Sequence, residues 1–149
     1  VAPQDPGNVG AVLRTIDAVG ASGLLLLDGG VDALHPAAVR ASMGAIFHRP
    51  VVSASFADFL NWARAGGRQL VATSARGRAD YRAASYALPL VLLLGSEREG
   101  LSAEQIAASD ALVRLPMRGR ITSLNLAVAA GVLLYAIHDS LDVQGRLPG

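Results

Sequence analysis

Apolar residues recur at Val9, Val12, Leu13, Ile16 and Val19, the three- and four-residue spacing of a helix with one buried face. Asn8 stands where an N-cap belongs, after the turn-rich start Val1–Gly7 with its two prolines, and Gly20 and Gly23 mark the stop. Leu24–Asp28 is a continuous apolar run closed by Gly29 and Gly30, the pattern of a strand buried on both faces. Pro36–Met43 predicts a short helix, and Pro50–Val52 begins a short or edge strand. Ser55 caps a helix whose Phe56, Phe59, Leu60 and Ala63 share one side before Gly66 and Gly67 end it. A strand over Gln69–Thr73 follows, then a polar connection, Ser74–Ala87, carrying Arg76, Arg78, Asp80 and Arg82. Pro89–Leu94 is the strongest strand signal and runs straight into the loop GSEREGLS. Ser102 and Gln105 form a capping box for a short helix to Ala108, Ala111–Leu115 reads as a strand, and a helix apolar on nearly every side runs from Leu124 to Leu141.

Helices alternating with buried strands predict an α/β fold, a mostly parallel sheet with helices on both faces. Ligands in such folds lie beyond the carboxyl ends of the strands, where the loops beginning at Gly95 and Pro116 fall. The second of these is anomalous. Arg118, Arg120, Thr122 and Ser123 lie between two apolar segments, so polar groups sit at the edge of a dry core and need partners from the protein or from a ligand.

Composition narrows the function classes. A chain of 149 residues, 52% hydrophobic and 17% charged, is long enough for one domain with a real core and is not a disordered segment. The net charge of +1 says little about partners, but all 13 basic residues are arginine. Genome base composition alone produces such a bias, yet arginine is also the better bidentate phosphate ligand. The absence of cysteine excludes disulfides, thiol nucleophiles and cysteine metal sites, while His35, His48 and His138 are too scattered for a local metal motif. The longest apolar run, Leu126–Ile137, falls short of the roughly 20 residues of a membrane span and reads as a buried helix. Val1–Asn8 has no basic-then-apolar targeting pattern, and the cytoplasm is the expected compartment.

Taken singly, the polar candidates are ambiguous. Arg14 lies six residues after Asn8 on a neighbouring face of the first helix, and a lone helical arginine is more often a solvated charge. Glu97, in a glycine-bracketed loop, reads as a turn residue or an active-site carboxylate, and Glu99 reads as solvated. Gly95 and Gly100 permit a sharp turn and close approach to a ligand. Leu115 and Leu124 read as core, and Asn125 as a helix cap.

Three stretches in order change that balance: DPGNVGAVLRT (Asp5–Thr15), LLLGSEREGLS (Leu92–Ser102) and LPMRGRITSLNLAVA (Leu115–Ala129). They resemble the signature motifs of the SpoU (TrmH-like) RNA ribose 2′-O-methyltransferases of the SPOUT superfamily. The resemblance implies S-adenosylmethionine as cofactor, held at Gly95, Leu115 and Leu124 with Thr73 and Met117, and an RNA substrate, ribosomal or transfer. It implies that Arg14 contacts the RNA phosphate and assists deprotonation of the ribose hydroxyl, with Asn8, Glu97, Ser123 and Asn125 completing the catalytic pocket. Arginine is a poor general base, its pKa lying above about 12, so phosphate binding and charge stabilisation are its safer roles. No metal is required. A C-terminal trefoil knot and a homodimer meeting through Val132, Leu133 or Tyr135 are also implied. Many family members carry an N-terminal RNA-binding domain, so this chain reads as the catalytic domain alone, with Arg98, Arg118 and Arg120 supplying phosphate contacts without base readout. Two other readings are a non-catalytic RNA-binding module on the same fold, which the intact motif set opposes, and a dinucleotide enzyme, which the lack of a GxGxxG stretch opposes.

Overall fold

The computed structural model describes residues 1–145. It has five α-helices, α1 (Pro6–Ala18), α2 (Pro36–Ala41), α3 (Phe56–Ala65), α4 (Ala103–Ala107) and α5 (Leu126–Val143), with a 3-10 turn at Ala45–Phe47. Its strands are β1 (Leu24–Leu27), β2 (Val51–Ala54), β3 (Gln69–Thr73), β4 (Ala79–Asp80), β5 (Leu90–Leu93) and β6 (Ala111–Arg114). Every strand pair is parallel, in a two-stranded sheet β1-β2 and a four-stranded sheet β4-β6-β3-β5. The expected single sheet is therefore divided. Val1 and Ala2 bridge the gap, the α-ammonium donating to the Leu94 carbonyl at 2.7 Å and the Ala2 N–H to the Leu27 carbonyl at 2.8 Å.

Successive strand residues face opposite sides, and that alternation builds two cores. Leu27, Leu70 and Leu93 pack with Phe56, Phe59 and Ala63 of α3. On the other face Val71 and Val113 pack with Leu133, Ile137 and Leu141 of α5 and with Tyr86. Leu26 meets Val9 and Leu13 of α1 on this second face, and Val12, Ile16 and Ala130 join α1 to α5. Each fully buried leucine contributes about 1.5–3 kcal/mol.

Several boundaries differ from the sequence reading for local reasons. Asp5, not Asn8, caps α1: its Oδ1 accepts from the Gly7 N–H at 2.6 Å and Pro6 occupies the first helical position, which its fixed φ suits. This moves Asn8 into the first turn, side chain outward. The connection Ser74–Ala87 is not wholly polar, because β4 extends the sheet and Tyr86 is only 1% exposed. Ser55, the Ser102–Gln105 box and Asn125 cap α3, α4 and α5 as expected. The last helix is longer than its apolar run and by length and composition alone could cross a membrane, but Ala130, Leu133, Ile137 and Leu141 lie in the core. Nor is it covered on every side: Val128, Val132 and Tyr135 are exposed, Tyr135 by 51%.

At Gly10 the backbone of α1 lies directly against α2. A Cβ there would overlap the Ala38 carbonyl oxygen and come within 2.7 Å of the Ala41 Cβ, so α1 and α2 touch only because position 10 has no side chain. Gly10→Ala is expected to cost about 1–3 kcal/mol by overpacking, read as a lower urea midpoint with an unchanged m-value.

Candidate active site

At the carboxyl ends of the strands, the loop after β5, the first turn of α1 and the cap of α5 meet. Asn8 lies at the centre. Its Nδ2 donates to Glu97 Oε1 at 3.0 Å, and its Oδ1 accepts from Asn125 Nδ2 at 2.9 Å. The other Glu97 oxygen accepts the Gln4 N–H at 3.3 Å, and Asn125 Oδ1 accepts the Ala127 and Val128 N–H groups at 2.9 and 3.3 Å. Every amide orientation in this chain of bonds is thereby fixed. Residues separated by 89 and 117 positions, one from each motif, form one polar constellation.

This arrangement sets the charge on Glu97. Partial burial pushes its carboxyl upward, but hydrogen bonds from the Asn8 side chain and from backbone N–H groups near Gln4, Asp5 and Glu97 itself outweigh that and hold it below the ordinary glutamate value. A carboxylate held ionised is an anchor and a poor proton acceptor at neutral pH.

Arg14 and Ser123 are exposed and form no hydrogen bond or ion pair among the described residues. The rise of a helix separates Asn8 from Arg14 by about 9 Å along the axis. Arg98, Arg118 and Arg120 are likewise exposed, as is Glu99, whose N–H donates to Ser96 Oγ at 3.2 Å.

Of the residues predicted to hold a cofactor, Leu115, Met117 and Leu124 line one cleft of about 360 Å³, together with Pro116, Ile121 and Val132 and with Arg82 and Arg118 at its polar margin. Thr73 and Gly95 lie beside it at the same sheet edge and do not line it. Thr73 ends β3 between β5 and β6 and donates to the Leu93 carbonyl at 3.3 Å. The space that Gly95 leaves open is taken by the protein itself, since a Cβ there would overlap the backbone of Gly100 and Leu101. Its role is to let the loop fold back on itself, closed by the Gly100 N–H bond to the Ser96 carbonyl at 3.0 Å.

The sequence reading missed Arg82, Pro116 and Ile121 in the cleft wall. Proximity of β4 to β6 brings Arg82 there, where Asp80 holds its guanidinium through bonds of 2.9 and 2.7 Å. A polar residue just after a two-residue strand carries no periodic signal. Pro116 and Ile121 lie within the third motif and were within reach of the same reading.

The cleft suits a nucleoside-like molecule. Its walls are mostly apolar, and the backbone polar groups of residues 117–123 make no hydrogen bonds among the described residues. Free main-chain donors and acceptors beside apolar walls are what an adenine and ribose require.

Comparison with known proteins gives the site a lineage. The family model described as the SpoU rRNA Methylase family matches residues 1–135. The chain is 39% identical over 144 residues to a putative TrmH family tRNA/rRNA methyltransferase of Bacillus subtilis, covering 96% of this chain and 58% of that protein. It is 34% identical to the 23S rRNA (guanosine(2553)-2′-O)-methyltransferase of Bacillus subtilis, covering 90% and 54%. Among solved structures, an AdoMet-bound rRNA methyltransferase from Sinorhizobium meliloti superposes with a TM-score of 0.89 at 45% identity, covering 93% of this chain and 53% of that one. The chain thus spans a little over half the length of the curated relatives it matches.

The Asn8–Glu97 bond makes a pH-dependent contribution to stability. Because the folded-state pKa of Glu97 is lowered, that contribution is complete above the unfolded value of about 4.3 and is lost as pH falls through the folded value. Asn8→Ala removes a donor to the charged form, so the Glu97 pKa should rise, as followed by carboxyl-carbon NMR titration. An unmoved titration would show that Asn8 does not set it.

Proposed function

We propose, from the premise that the chain belongs to the SpoU rRNA methylase family, that it is the catalytic part of an RNA ribose 2′-O-methyltransferase using S-adenosylmethionine. The relatives named as RNA 2′-O-methyltransferases and the AdoMet-bound structures support this reading. The observation that carries it is the Asn8–Glu97–Asn125 constellation beside an apolar cleft, with the Arg14 guanidinium, unpaired among the described residues, on the neighbouring helical face.

Leu115, Met117 and Leu124 would hold the cofactor's nucleoside portion, with main-chain groups of the following loop completing its hydrogen bonds. When bound, S-adenosylmethionine supplies a methyl group on a sulfonium, open to in-line displacement. The chain's own work is alignment. Asn8, Glu97 and Asn125 lock the β5 loop against the starts of α1 and α5, and so fix the position of Ser123 and Arg14 relative to the cleft. Arg14 holds a backbone phosphate and stabilises negative charge developing on the ribose 2′-oxygen. The ribose hydroxyl so held would be the methyl acceptor, and its proton would leave to solvent. Glu97 stays ionised and keeps the loop in place. The exposed Ser123 hydroxyl is available to contact the ribose. Arg98, Arg118 and Arg120 add phosphate contacts on the same edge.

The reading includes ribosomal or transfer RNA as substrate, a cytoplasmic location, and a trefoil knot formed where the last helix passes behind the Gly95 loop. It also includes a homodimer. Val128, Val132 and Tyr135 follow one another at helical spacing and leave an apolar stripe on α5, which a second copy would cover. Leu133, named with them from sequence, is 1% exposed and belongs to the core of its own chain.

Two experiments test this. Met117→Trp should fill the cleft and abolish S-adenosylmethionine binding in calorimetry without altering the melting temperature, whereas Arg14→Ala should keep that binding and lower methyl transfer to total RNA by about 100-fold or more. Absence of cofactor binding by the folded wild-type chain would refute the reading. In sedimentation, Tyr135→Glu should convert dimer to monomer, and a monomeric wild type would remove the dimer from the proposal.

A further inference from the structure

Outside the cofactor cleft, the segment between β1 and β2 leaves three large apolar side chains in solvent: Leu34 at 70% exposure, Met43 at 73% and Phe47 at 77%. Leu34 and Phe47 are walls of a second cleft of about 440 Å³, closed by Ala33, Ile46, Pro50 and Val51 and edged by His48 and Arg49. Its size lies in the range of small-molecule clefts, about 300–1,000 Å³.

The segment is held rigidly. Ser42 is fully buried, with its Oγ donating to the Val39 carbonyl at 2.8 Å, and Ala45 is buried beside Val9 and Leu13. The Phe47 and His48 N–H groups bond to the Gly44 and Ala45 carbonyls at 3.0 Å. Arg49 is pinned to α1 through Asp17 at 2.7 Å. Met43 stands at φ +50, ahead of Gly44 at φ +92, a left-handed conformation unfavourable for methionine. A segment that keeps its large apolar residues outward on a fixed frame presents a preformed contact surface.

Its position points to the occupant. Gly10 on α1 lies against Ala38–Ser42, and Asp17, two turns on, holds Arg49. Arg14 falls between them on that helical face, which puts it on the side of α1 that packs against the β1–β2 segment. Arg40 and His48 are exposed around the same surface, and the carboxylates nearby are Asp17, paired with Arg49, and Asp32, whose Oδ1 accepts the Leu34 N–H at 2.9 Å. An apolar platform with exposed arginines around it matches an unpaired base on a polyanionic chain. A twofold contact across this patch would bring the arginines of two copies onto one interface.

We infer that the Leu34–Phe47 cleft seats an unpaired nucleobase of the RNA strand whose phosphate Arg14 holds, Phe47 supplying the stacking face. This rests on RNA being the substrate, as proposed above. It makes the β1–β2 segment a substrate-binding element separate from the cofactor cleft.

Fluorescence anisotropy of a dye-labelled single-stranded RNA of about 12 nucleotides, with S-adenosylmethionine present, tests it on the full chain. Phe47→Ala should weaken binding about tenfold, Phe47→Trp should restore it, and neither should change the melting temperature of a side chain so exposed. Leu34→Ala, from the opposite wall, should act in the same direction if Phe47→Ala proves poorly folded. With the chain's single tryptophan removed as Trp62→Phe, the Phe47→Trp fluorescence should be quenched on RNA addition. Wild-type affinity in Phe47→Ala together with loss in Arg14→Ala would overturn the base seat and leave the RNA reading standing. A wild type that binds no RNA would overturn both. Unchanged RNA affinity with a shift from dimer to monomer in sedimentation would show the patch to be a contact between copies, and would likewise overturn the proposal.

Discussion

Asn8 can serve the α1 start, the β5 loop and the α5 cap at once because an amide carries a donor and an acceptor on one rigid plane. Its Nδ2 engages a carboxylate and its Oδ1 engages another amide, so three segments distant in sequence are fixed by one side chain. Each bond is partly exposed and worth about 1 kcal/mol, small beside the buried leucines. Its importance is geometric. Leucine packing tolerates shifts that would spoil a methyl transfer, whereas hydrogen bonds constrain direction as well as distance.

The glycines of the site act on the same problem from the other side. Gly95 and Gly100 let the β5 loop double back with backbone against backbone, which puts Glu97 within reach of Asn8. Gly10 lets α2 lie directly on α1. Close approach of main chains explains why both positions are glycine.

Helix and strand identities were legible because hydrophobic periodicity and caps are local. Ser55, the Ser102–Gln105 box and Asn125 each bond to backbone within three residues, so their meaning is contained in the sequence around them. Asn8 was misread as a cap for the same reason: Asp5 and Asn8 are both competent, and Pro6 decides between them by favouring the first helical position. Tyr86 and β4 escaped notice because burial there comes from α5 and β6, not from neighbours in the chain.

What the sequence determined by itself was the alternation of buried strands and helices, the loops that follow β5 and β6, and the residue types able to bind a phosphate and orient an amide network. These follow from propensity, period and side-chain chemistry, which act over a few residues. The tertiary structure decided which of those groups meet. It joined Asn8, Glu97 and Asn125, left Arg14 and Ser123 without a side-chain partner among the described residues, separated Gly95 and Thr73 from the walls of the cleft, and uncovered one stripe of a helix whose composition promised complete burial. Each of these depends on contacts spanning tens of residues, where the outcome is set by the packing of whole elements.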